Sequence, residues 1–245
     1  MQRELIEDAA GRIAGARCAI ALTGAGISVA SGIPDFRSPG GLWSRYDPEE
    51  VASIRALKKD PEKVWKFLLE TDRMISRARP NAAHDALARM EREGYLKAVI
   101  TQNIDGLHQT AGSSRVIEFH GNCRDYYCME CFQAFDRAGI EGGGLPVRCP
   151  GCSGIIRPDL VFFGETIPSD THREAFQIAE EADLVIVAGT SGEVVPASLI
   201  PPLVKDAGGV IIEINKSPSA YSSVSDIFIQ GSVERILPLI VQNLG

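Results

Sequence analysis

Four of the six cysteines form two Cys-x-x-Cys pairs. Cys128 and Cys131 form the first pair and Cys149 and Cys152 form the second, with 17 residues between the pairs. Each pair is typical of a tight knuckle, and two knuckles supply four thiolates arranged tetrahedrally around one zinc ion. Because four thiolates fill the coordination shell and leave no place for an activated water, we predict a structural zinc site.

A glycine-rich loop follows the first apolar run of the chain. The stretch LTGAGISVASG contains Gly24 and Gly26, which match the opening of a dinucleotide-binding fingerprint. Val29 stands where that fingerprint has its third glycine, and no acidic residue clearly ends a second strand to hold an adenine ribose. On this loop alone, a nucleotide-binding turn and an ordinary tight strand-to-helix turn both remain open.

The composition is that of a globular protein with an acidic surface. The 245-residue chain has 44% hydrophobic and 23% charged residues and a net charge of −7, which disfavours non-specific attraction to nucleic acid or anionic membrane. No apolar run reaches 18 residues, and the opening MQRELIEDAAGRIAGAR predicts an amphipathic helix rather than a signal peptide. We therefore expect a cytoplasmic protein. In that reducing compartment the cysteines favour metal binding, with Cys18 and Cys123 left as packing or surface residues.

Short apolar runs alternate with helical segments. The runs predict buried strands at residues 18–23, 97–101, 183–189 and 209–214. Helices are predicted at residues 47–57, 60–78 and 80–94, the first two opening with Asp-Pro at the N-cap and first helical position. Strands that alternate with helices imply an α/β fold with a mostly parallel sheet covered on both faces.

Each predicted strand ends abruptly in small or polar residues. The four ends read TGAGIS, TQNID, GTSGE and NKS. In open parallel sheets, ligands bind in the crevice beyond the carboxyl ends of the strands, so we expect one shared ligand crevice. Ordinary turn chemistry explains any one of these ends but explains all four poorly.

The motifs of the chain, taken in order, resemble those of the sirtuin family, NAD-dependent protein-lysine deacylases. They are GAGIS, SGIPDFRSPGGLW, TQNIDGLHQTAG, VIEFHGN, the paired Cys-x-x-Cys, RPDLVFFGE, GTS followed by VxP, and EIN. The resemblance spans nearly the whole chain, at the single-domain length found in prokaryotes. One departure is Gly192-Glu193 after GTS, where the family often has an aliphatic residue.

The resemblance implies two domains. A Rossmann-like NAD-binding domain would comprise residues 1–37, 81–120 and 159–245. A small domain would consist of a helical module, residues 38–80, and a zinc ribbon, residues 121–158. NAD and an acyl-lysine peptide would meet in the cleft between these domains.

The resemblance also assigns roles to individual residues. The residues expected to hold NAD are Gly24, Ala25, Gly26, Ser28, Asp35, Phe36, Arg37, Gln102, Asn103, Ile104, Asp105, Gly189, Thr190, Ser191, Asn215, Lys216, Ser232 and Val233. Those expected beside the acyl-lysine peptide are Val161, Phe163, Gly164, Glu165 and Val194. Asn103 is expected to contribute to catalysis as well as to NAD binding.

His120 is expected to be the general base. By resemblance, the reaction needs a base that activates a ribose hydroxyl, and imidazole suits this because its ordinary pKa lies near neutrality. The four cysteines already satisfy the zinc ion, so His120 is not needed as a ligand. For a lone histidine a structural role is the commoner one, and the filled zinc shell together with the motif match reverses that. His84, His108 and His172 are left as structural or surface residues.

The acyl group is expected to be uncharged. Some sirtuins that remove succinyl groups resemble one another in a Tyr-x-x-Arg pair on a helix of the helical module. Counting back from Pro80-Asn81, those positions are Leu68 and Thr71, neither of which neutralises a carboxylate. Arg73 lies about 200° around the helix from Thr71.

Three other functions were weighed. A zinc-ribbon nucleic-acid-binding protein is disfavoured by the net charge and by the lack of an aromatic–basic stripe. An NAD sensor without catalysis is disfavoured by the intact Asn103, Asp105 and His120. Within the enzyme class, mono-ADP-ribosyl transfer is the runner-up, since another nucleophile could intercept the activated sugar.

Overall fold

The structure is a computed structural model that describes residues 2–36, 41–140 and 144–244. Its contacts divide the chain into two compact units. The first comprises Met1–Asp35, Arg79–Phe119 and Pro168–Gly245, and the second comprises Phe36–Ala78 and His120–Ile167. Arg37, assigned to NAD binding by resemblance, lies outside the described residues.

The elements follow in alternation along most of the chain. The strands are β1 (Ala19–Thr23), β2 (Ala98–Thr101), β3 (Val116–Glu118), β4 (Gly121–Cys128), β5 (Ala134–Phe135), β6 (Ile156–Leu160), β7 (Leu184–Ala188), β8 (Val210–Asn215) and β9 (Ile227–Gln230). The helices are α1 (Gln2–Gly15), α2 (Pro48–Val51), α3 (Ile54–Lys59), α4 (Pro61–Arg77), α5 (Ala82–Arg92), α6 (Leu107–Thr110), α7 (Ser169–Glu181), α8 (Ile200–Asp206) and α9 (Val233–Gln242).

The first unit is built on a six-stranded parallel sheet. Its strand order is β3-β2-β1-β7-β8-β9. The chain starts at β1 in the middle of the sheet and adds β2 and β3 on one side. It then crosses back and adds β7, β8 and β9 on the other side. The switch in direction lies between β1 and β7, the position at which doubly wound sheets bind ligands. The α/β, Rossmann-like fold class is thereby confirmed.

The central strands form because they are apolar on both faces. Every residue of β1, β2 and β7 is buried, as strands covered by helices on both sides require. One side of the sheet packs against α1, α5 and α9, whose buried side chains join those of the strands in one core cluster. This core rests mainly on isoleucine, leucine, valine and alanine.

The second unit combines three helices with a three-stranded antiparallel sheet. The sheet order is β5-β4-β6. The indole ring of Trp65 in α4 stacks on Tyr126 of β4 at 6.3 Å and donates a hydrogen bond to the carbonyl oxygen of Ile156. Leu68 belongs to the same buried cluster. This core attaches α4 to the sheet that carries the cysteine knuckles.

The predicted helices begin where their sequences indicated. Asp47 and Asp60 accept hydrogen bonds from the backbone at the starts of α2 and α4, and Asn81 does so at the start of α5. The helix predicted over 47–57 is wrong in one respect, because Ser53 interrupts it. The Ser53 hydroxyl caps α3 instead, accepting from Ala56. None of the described helices has the length and apolar character needed to cross a membrane.

Candidate active site

The loops after β1 and β7 meet backbone to backbone. The N–H of Gly26 donates to the carbonyl oxygen of Gly189 at 2.8 Å. A Cβ on Gly26 would lie 2.8 Å from the Gly189 Cα, and one on Gly24 would lie 2.7 Å from the Thr190 Cβ. Both glycines are therefore needed for the contact between these loops, as well as for an open backbone at the switch point of the sheet.

The segment after the glycines differs from the dinucleotide fingerprint. Ala25–Ser31 forms a 3-10 helix that ends at Gly32, whose φ is 88°. Ile27 and Ser28 are its buried residues. A full α-helix does not follow β1, which accounts for the valine at position 29 where the fingerprint has a glycine that packs a helix closely on a strand.

A buried polar chain links this segment to the end of β2. The Asn103 amide nitrogen donates to the Ser28 hydroxyl at 3.2 Å and to the Gly24 carbonyl at 3.1 Å. The Ser28 hydroxyl in turn donates to the Asp105 carboxylate at 2.7 Å. Burial raises the pKa of Asp105 above its ordinary value, although hydrogen bonds from Leu107 and Ser28 act against this rise. Three residues assigned by resemblance thus form one hydrogen-bonded unit.

Two histidines lie against this unit. The ring of His84 packs edge-on against that of His108, with centroids 4.9 Å apart. His84 Nδ1 accepts from the Asn81 backbone, which places the ring proton on Nε2, 3.5 Å from the Ser28 hydroxyl. Burial lowers the pKa of His84 to about 4 and that of His108 to about 3. Both rings are therefore neutral at neutral pH.

The ends of β7 and β8 connect to the same edge. The Gln102 side-chain amide donates to the Thr190 hydroxyl at 3.0 Å. The Asn215 amide donates to the Thr190 carbonyl at 3.0 Å and to Glu213 at 2.7 Å. The prediction that the four polar strand ends converge is confirmed within the first unit. These polar groups, together with the close backbone contact of the two glycine loops at the switch point, are the features expected of a dinucleotide-binding site.

The departure at Gly192 has a structural reason. Its φ is 74°, and a Cβ there would lie 2.6 Å from the ring of Tyr221. The aliphatic residue common in the family would collide with this ring, so the glycine follows from the position of Tyr221. Ser191, beside it, is exposed, and its hydroxyl lies 3.5 Å from Glu193.

In the second unit the four paired cysteines converge. Their Sγ atoms all lie within 4.8 Å of one another. Cys131 and Cys149 approach to 3.7 Å and Cys128 and Cys152 to 3.4 Å. A zinc ion with tetrahedral Zn–S bonds of about 2.3 Å requires sulfur atoms about 3.8 Å apart, so the cluster fits this metal.

His120 lies at the start of the second unit, next to the segment expected to contact acyl-lysine. Its carbonyl oxygen accepts from the Val161 N–H at 2.9 Å. Gly121 follows with a φ of 72°, and a Cβ there would lie 2.1 Å from the Asp159 carbonyl oxygen. The backbone at His120 is thus fixed directly against the strand that leads into Val161.

An ion pair closes the segment that bears Val161. Arg157, with 3% of its side chain exposed, donates to both carboxylate oxygens of Glu165, at 2.5 and 2.7 Å. Glu165 also accepts from the Phe162 N–H at 2.9 Å. Burial acts to raise the pKa of Glu165, but the hydrogen bond from Arg157 holds it below its ordinary value. The carboxylate of Glu165 is thereby held inside the segment.

Phe163 and Phe36 belong to an aromatic group in the second unit. Trp43 stacks on Phe36 at 5.0 Å and lies 6.2 Å from Phe67 and from Phe163. Phe163 is 41% exposed. Its N–H donates to Ala52 and its carbonyl oxygen accepts from Ile54, so these two backbone groups are already paired.

The other assigned residues lie at loop or helix ends. Val233 is buried at the start of α9, and Ser232 immediately precedes it. Lys216 is exposed directly after β8. Asp35, Ile104 and Val194 are partly buried in loops, and Gly164 is exposed.

Sequence analysis missed three residues that organise these sites. Glu213 stood inside an apolar run and was counted only as part of a strand. The sequence gives His84 no role beyond a structural one, and it does not identify Arg157 as the partner of Glu165. A charged residue inside a buried run, as in GVIIEIN, is the signal that points to Glu213.

Comparison with known proteins identifies the family. A model described as the Sir2 family matches residues 24–196. An NAD-dependent protein deacylase of Pyrococcus furiosus is 47% identical over 232 residues, which are 92% of this chain and 92% of that protein. An NAD-dependent protein deacetylase of Saccharolobus solfataricus is 50% identical over 229 residues, 92% of this chain and 91% of its own.

A solved structure gives the same result. A mutant of a Sir2 homologue in complex with ADP ribose superposes with a TM-score of 0.93 at 42% identity, covering 96% of this chain and 94% of that one. The chain therefore belongs to the Sir2 family, the sirtuins.

Proposed function

We propose that this chain is an NAD-dependent protein-lysine deacylase that acts on acetylated proteins or peptides. The observation that carries the proposal is the polar network at the carboxyl edge of the parallel sheet, in which Asn103, Ser28 and Asp105 are joined by hydrogen bonds. The names of the Sir2 relatives support NAD as the second substrate. No membrane or nucleic-acid partner is required.

The overall reaction consumes NAD, acyl-lysine and one water. It breaks the bond from ribose to nicotinamide and the lysine amide, and it forms an ester between the acyl group and a ribose hydroxyl of ADP-ribose. When bound, NAD supplies a ribose carbon with a good leaving group. The chain's own residues must then hold the dinucleotide and move one proton.

Most of the residues proposed to hold NAD belong to the first unit. The glycine loops, Gly24 with Gly26 and Gly189, leave backbone exposed for close approach to phosphates. The Asn103 amide nitrogen donates to Gly24 and Ser28, so its side-chain oxygen would be the group that faces NAD. Asn215 would hold the ribose of the adenosine half. The remaining residues proposed for NAD binding are Ala25, Asp35, Phe36, Arg37, Gln102, Ile104, Thr190, Ser191, Lys216, Ser232 and Val233.

The residues proposed to hold acyl-lysine and accept the proton belong to the second unit, except Val194, which belongs to the first. His120 would take the proton from the ribose hydroxyl, as a neutral imidazole does near its ordinary pKa. Val161 and Phe163 would contact the acyl-lysine side chain, and Gly164 and Val194 would lie beside the peptide. Glu165, held by Arg157, would support this segment.

The four cysteines would bind one structural zinc ion. Their sulfur spacing supports tetrahedral coordination, and four thiolates leave no open position for catalysis. The zinc ion would hold the two knuckles together, in addition to the hydrogen bond from the Met129 N–H to the carbonyl oxygen of Ile155.

Product analysis tests the proposed function. The protein is incubated with NAD and an acetyl-lysine peptide, and the products are separated by mass spectrometry. We expect deacetylated peptide, nicotinamide and O-acetyl-ADP-ribose in equal amounts. An ADP-ribosylated peptide with its acetyl group intact would instead establish mono-ADP-ribosyl transfer, and unchanged NAD would contradict both activities.

A further inference from the structure

Glu213 is a buried carboxylate without a cation. It lies in β8, two residues before the carboxyl end of the strand, and it is 0% exposed. Within the described part of the chain it forms no ion pair. Burial of an ionised carboxylate is costly unless hydrogen bonds replace the lost water. An apolar side chain at this position would avoid the free-energy cost of burying a carboxylate. The presence of Glu213 therefore suggests a role other than packing.

Neutral donors surround the Glu213 carboxylate. One oxygen accepts from the Asn215 amide at 2.7 Å. The other accepts from the hydroxyl of Ser222 at 2.8 Å. The Ser225 hydroxyl lies 3.3 Å from the same oxygen, but it is closer to the carbonyl oxygen of Tyr221, at 2.9 Å, and it has only one hydrogen to donate. Both serines belong to the segment between β8 and β9. The carboxylate is thus stabilised by hydrogen bonds from Asn215 and Ser222.

These contacts fix the orientation of the Asn215 amide. Its NH₂ group has two hydrogens, and the carbonyl oxygen of Thr190 at 3.0 Å and the carboxylate of Glu213 accept them both. A flipped amide would place its oxygen against these two acceptors. Asn215 Oδ1 has no hydrogen-bond partner among the described residues. At the carboxyl end of β8, the amide therefore offers an acceptor and no donor.

We propose that Glu213 is a positioning residue that orients Asn215 and thereby makes the site select a ribose 2′-hydroxyl over a 2′-phosphate, that is, NAD over NADP. This inference rests on the proposed assignment of Asn215 to the adenosine ribose. A hydroxyl donates to a fixed acceptor, whereas a phosphate at neutral pH presents mainly acceptor oxygens and negative charge. Glu213 adds a buried negative charge that is poorly screened.

A nearby cation does not offset this selection. Lys216 follows Asn215 but is exposed, and solvent screens its ammonium group. The arrangement plays the part of the acidic residue that ends a strand in other dinucleotide-binding folds, where a carboxylate holds the ribose hydroxyls directly. Here the carboxylate acts through an amide.

The test compares the dissociation constants for NAD and NADP by isothermal titration calorimetry. The wild type should bind NAD at least about 100-fold more tightly, as expected for a lost hydrogen bond plus charge repulsion. Glu213→Gln removes the buried charge and can turn a donor toward Asn215, which leaves the Thr190 carbonyl oxygen as the one remaining acceptor that holds the Asn215 amide in its orientation. We expect this variant to bind NAD less tightly and NADP more tightly, so that the affinity ratio falls at least about 10-fold.

Ser222→Ala is the matched control. It removes a donor to the same carboxylate but leaves the Asn215 contact intact, so stability should fall while the ratio of affinities stays constant. If Glu213→Gln does not fold, Asn215→Ala is measured instead, and its ratio must also fall, because the fixed acceptor is lost. An unchanged ratio in the folded variant overturns the inference.

The outcome also separates this inference from the proposed function. A wild-type protein that binds neither dinucleotide contradicts the proposed function. A wild-type protein that binds NAD and NADP equally contradicts the role of Glu213 and leaves the deacylase proposal standing.

Discussion

Gly26 donates its backbone N–H to the carbonyl oxygen of Gly189 at 2.8 Å, and neither residue leaves room for a side chain at this contact. The two glycines come from loops that follow adjacent strands, β1 and β7. The contact brings the two halves of the doubly wound sheet together where its direction switches. The residues assigned to NAD binding follow directly after these two strands.

Gly189→Ala should be strongly destabilising. The Gly189 φ is 65°, and a Cβ there would lie 2.4 Å from the Ile27 nitrogen. Backbone strain and collision together should cost more than about 3 kcal/mol and reduce NAD binding. Gly208→Ala is the control, since its φ of 88° is similar but nothing lies within 4 Å. Urea denaturation should show a loss of only about 1–2 kcal/mol there, and equal losses would contradict the argument.

His120→Ala should lower deacetylation by about two to four orders of magnitude, because a general base contributes on that scale. The fold and NAD affinity should be retained. Nicotinamide release with an acetyl-lysine peptide measures the effect. His172→Ala, which loses ring contacts with Phe176 at 4.2 Å and with Phe119 at 6.4 Å, is the control. Near-normal turnover by His120→Ala would remove this residue from its proposed role.

Metal analysis should find one zinc ion per chain. Cys152→Ser and chelation should each cost more than about 2 kcal/mol of stability and reduce activity, since a structural zinc site contributes to folding. Cys123→Ser provides the comparison, because Cys123 is outside the cluster. Full activity in a verified metal-free preparation would show that the cluster holds no structural metal.

Acetyl-lysine should be preferred over succinyl-lysine by about 100-fold in kcat/KM, because burial of an unpaired carboxylate is costly. Leu68 packs in the apolar cluster of the second unit, and Thr71 is buried, with no hydrogen-bond partner for its hydroxyl in the described residues. Myristoyl-lysine on the same peptide reports on longer chains. Arg73→Ala, an exposed change two residues from Thr71, should leave the preference unaltered. Succinyl-lysine as the best substrate would refute the assignment of Leu68 and Thr71.

Stability should fall as the pH is lowered from 6.5 toward 4. Burial lowers the pKa of His108 to about 3, so the unfolded chain binds a proton in this range while the folded chain does not. Linkage then favours unfolding, by roughly 2 kcal/mol at pH 5 for this histidine. Urea midpoints at pH 7.5 and pH 5 measure the change, and His108→Gln should show a smaller one. Asp105 and His84 are present in both proteins, so the difference reports on His108 together with its interaction with His84.

The sequence predicted the parts of the sheet whose burial is complete. β1, β2, β7 and β8 are apolar runs, and they lie where those runs were found. β3 and β9 were missed because they are short edge strands with partly exposed residues. Edge strands face solvent on one side, which weakens the apolar pattern that periodicity detects.

Side-chain networks were harder to predict. The convergence of the strand ends followed from parallel pairing alone, so Asn103 and Asn215 were placed correctly at the same edge of the sheet. The contact between His84 and Ser28 depends on how α5 packs against the 3-10 segment, and no local pattern encodes that. Likewise, the pairing of Arg157 with Glu165 depends on a loop that folds back on its own strand.

The first unit is assembled from three separated segments of the chain, and this sets an order of events during synthesis. All of the second unit has been made once Ile167 is complete, whereas β1 must wait for Leu184–Ala188 before its second neighbour exists. Until then the apolar strand AIALT has one unpaired edge, which is a template for association with other chains. We expect the unit that carries the four-cysteine cluster to acquire structure on the ribosome first, and nascent chains that stop before β7 to depend on chaperones.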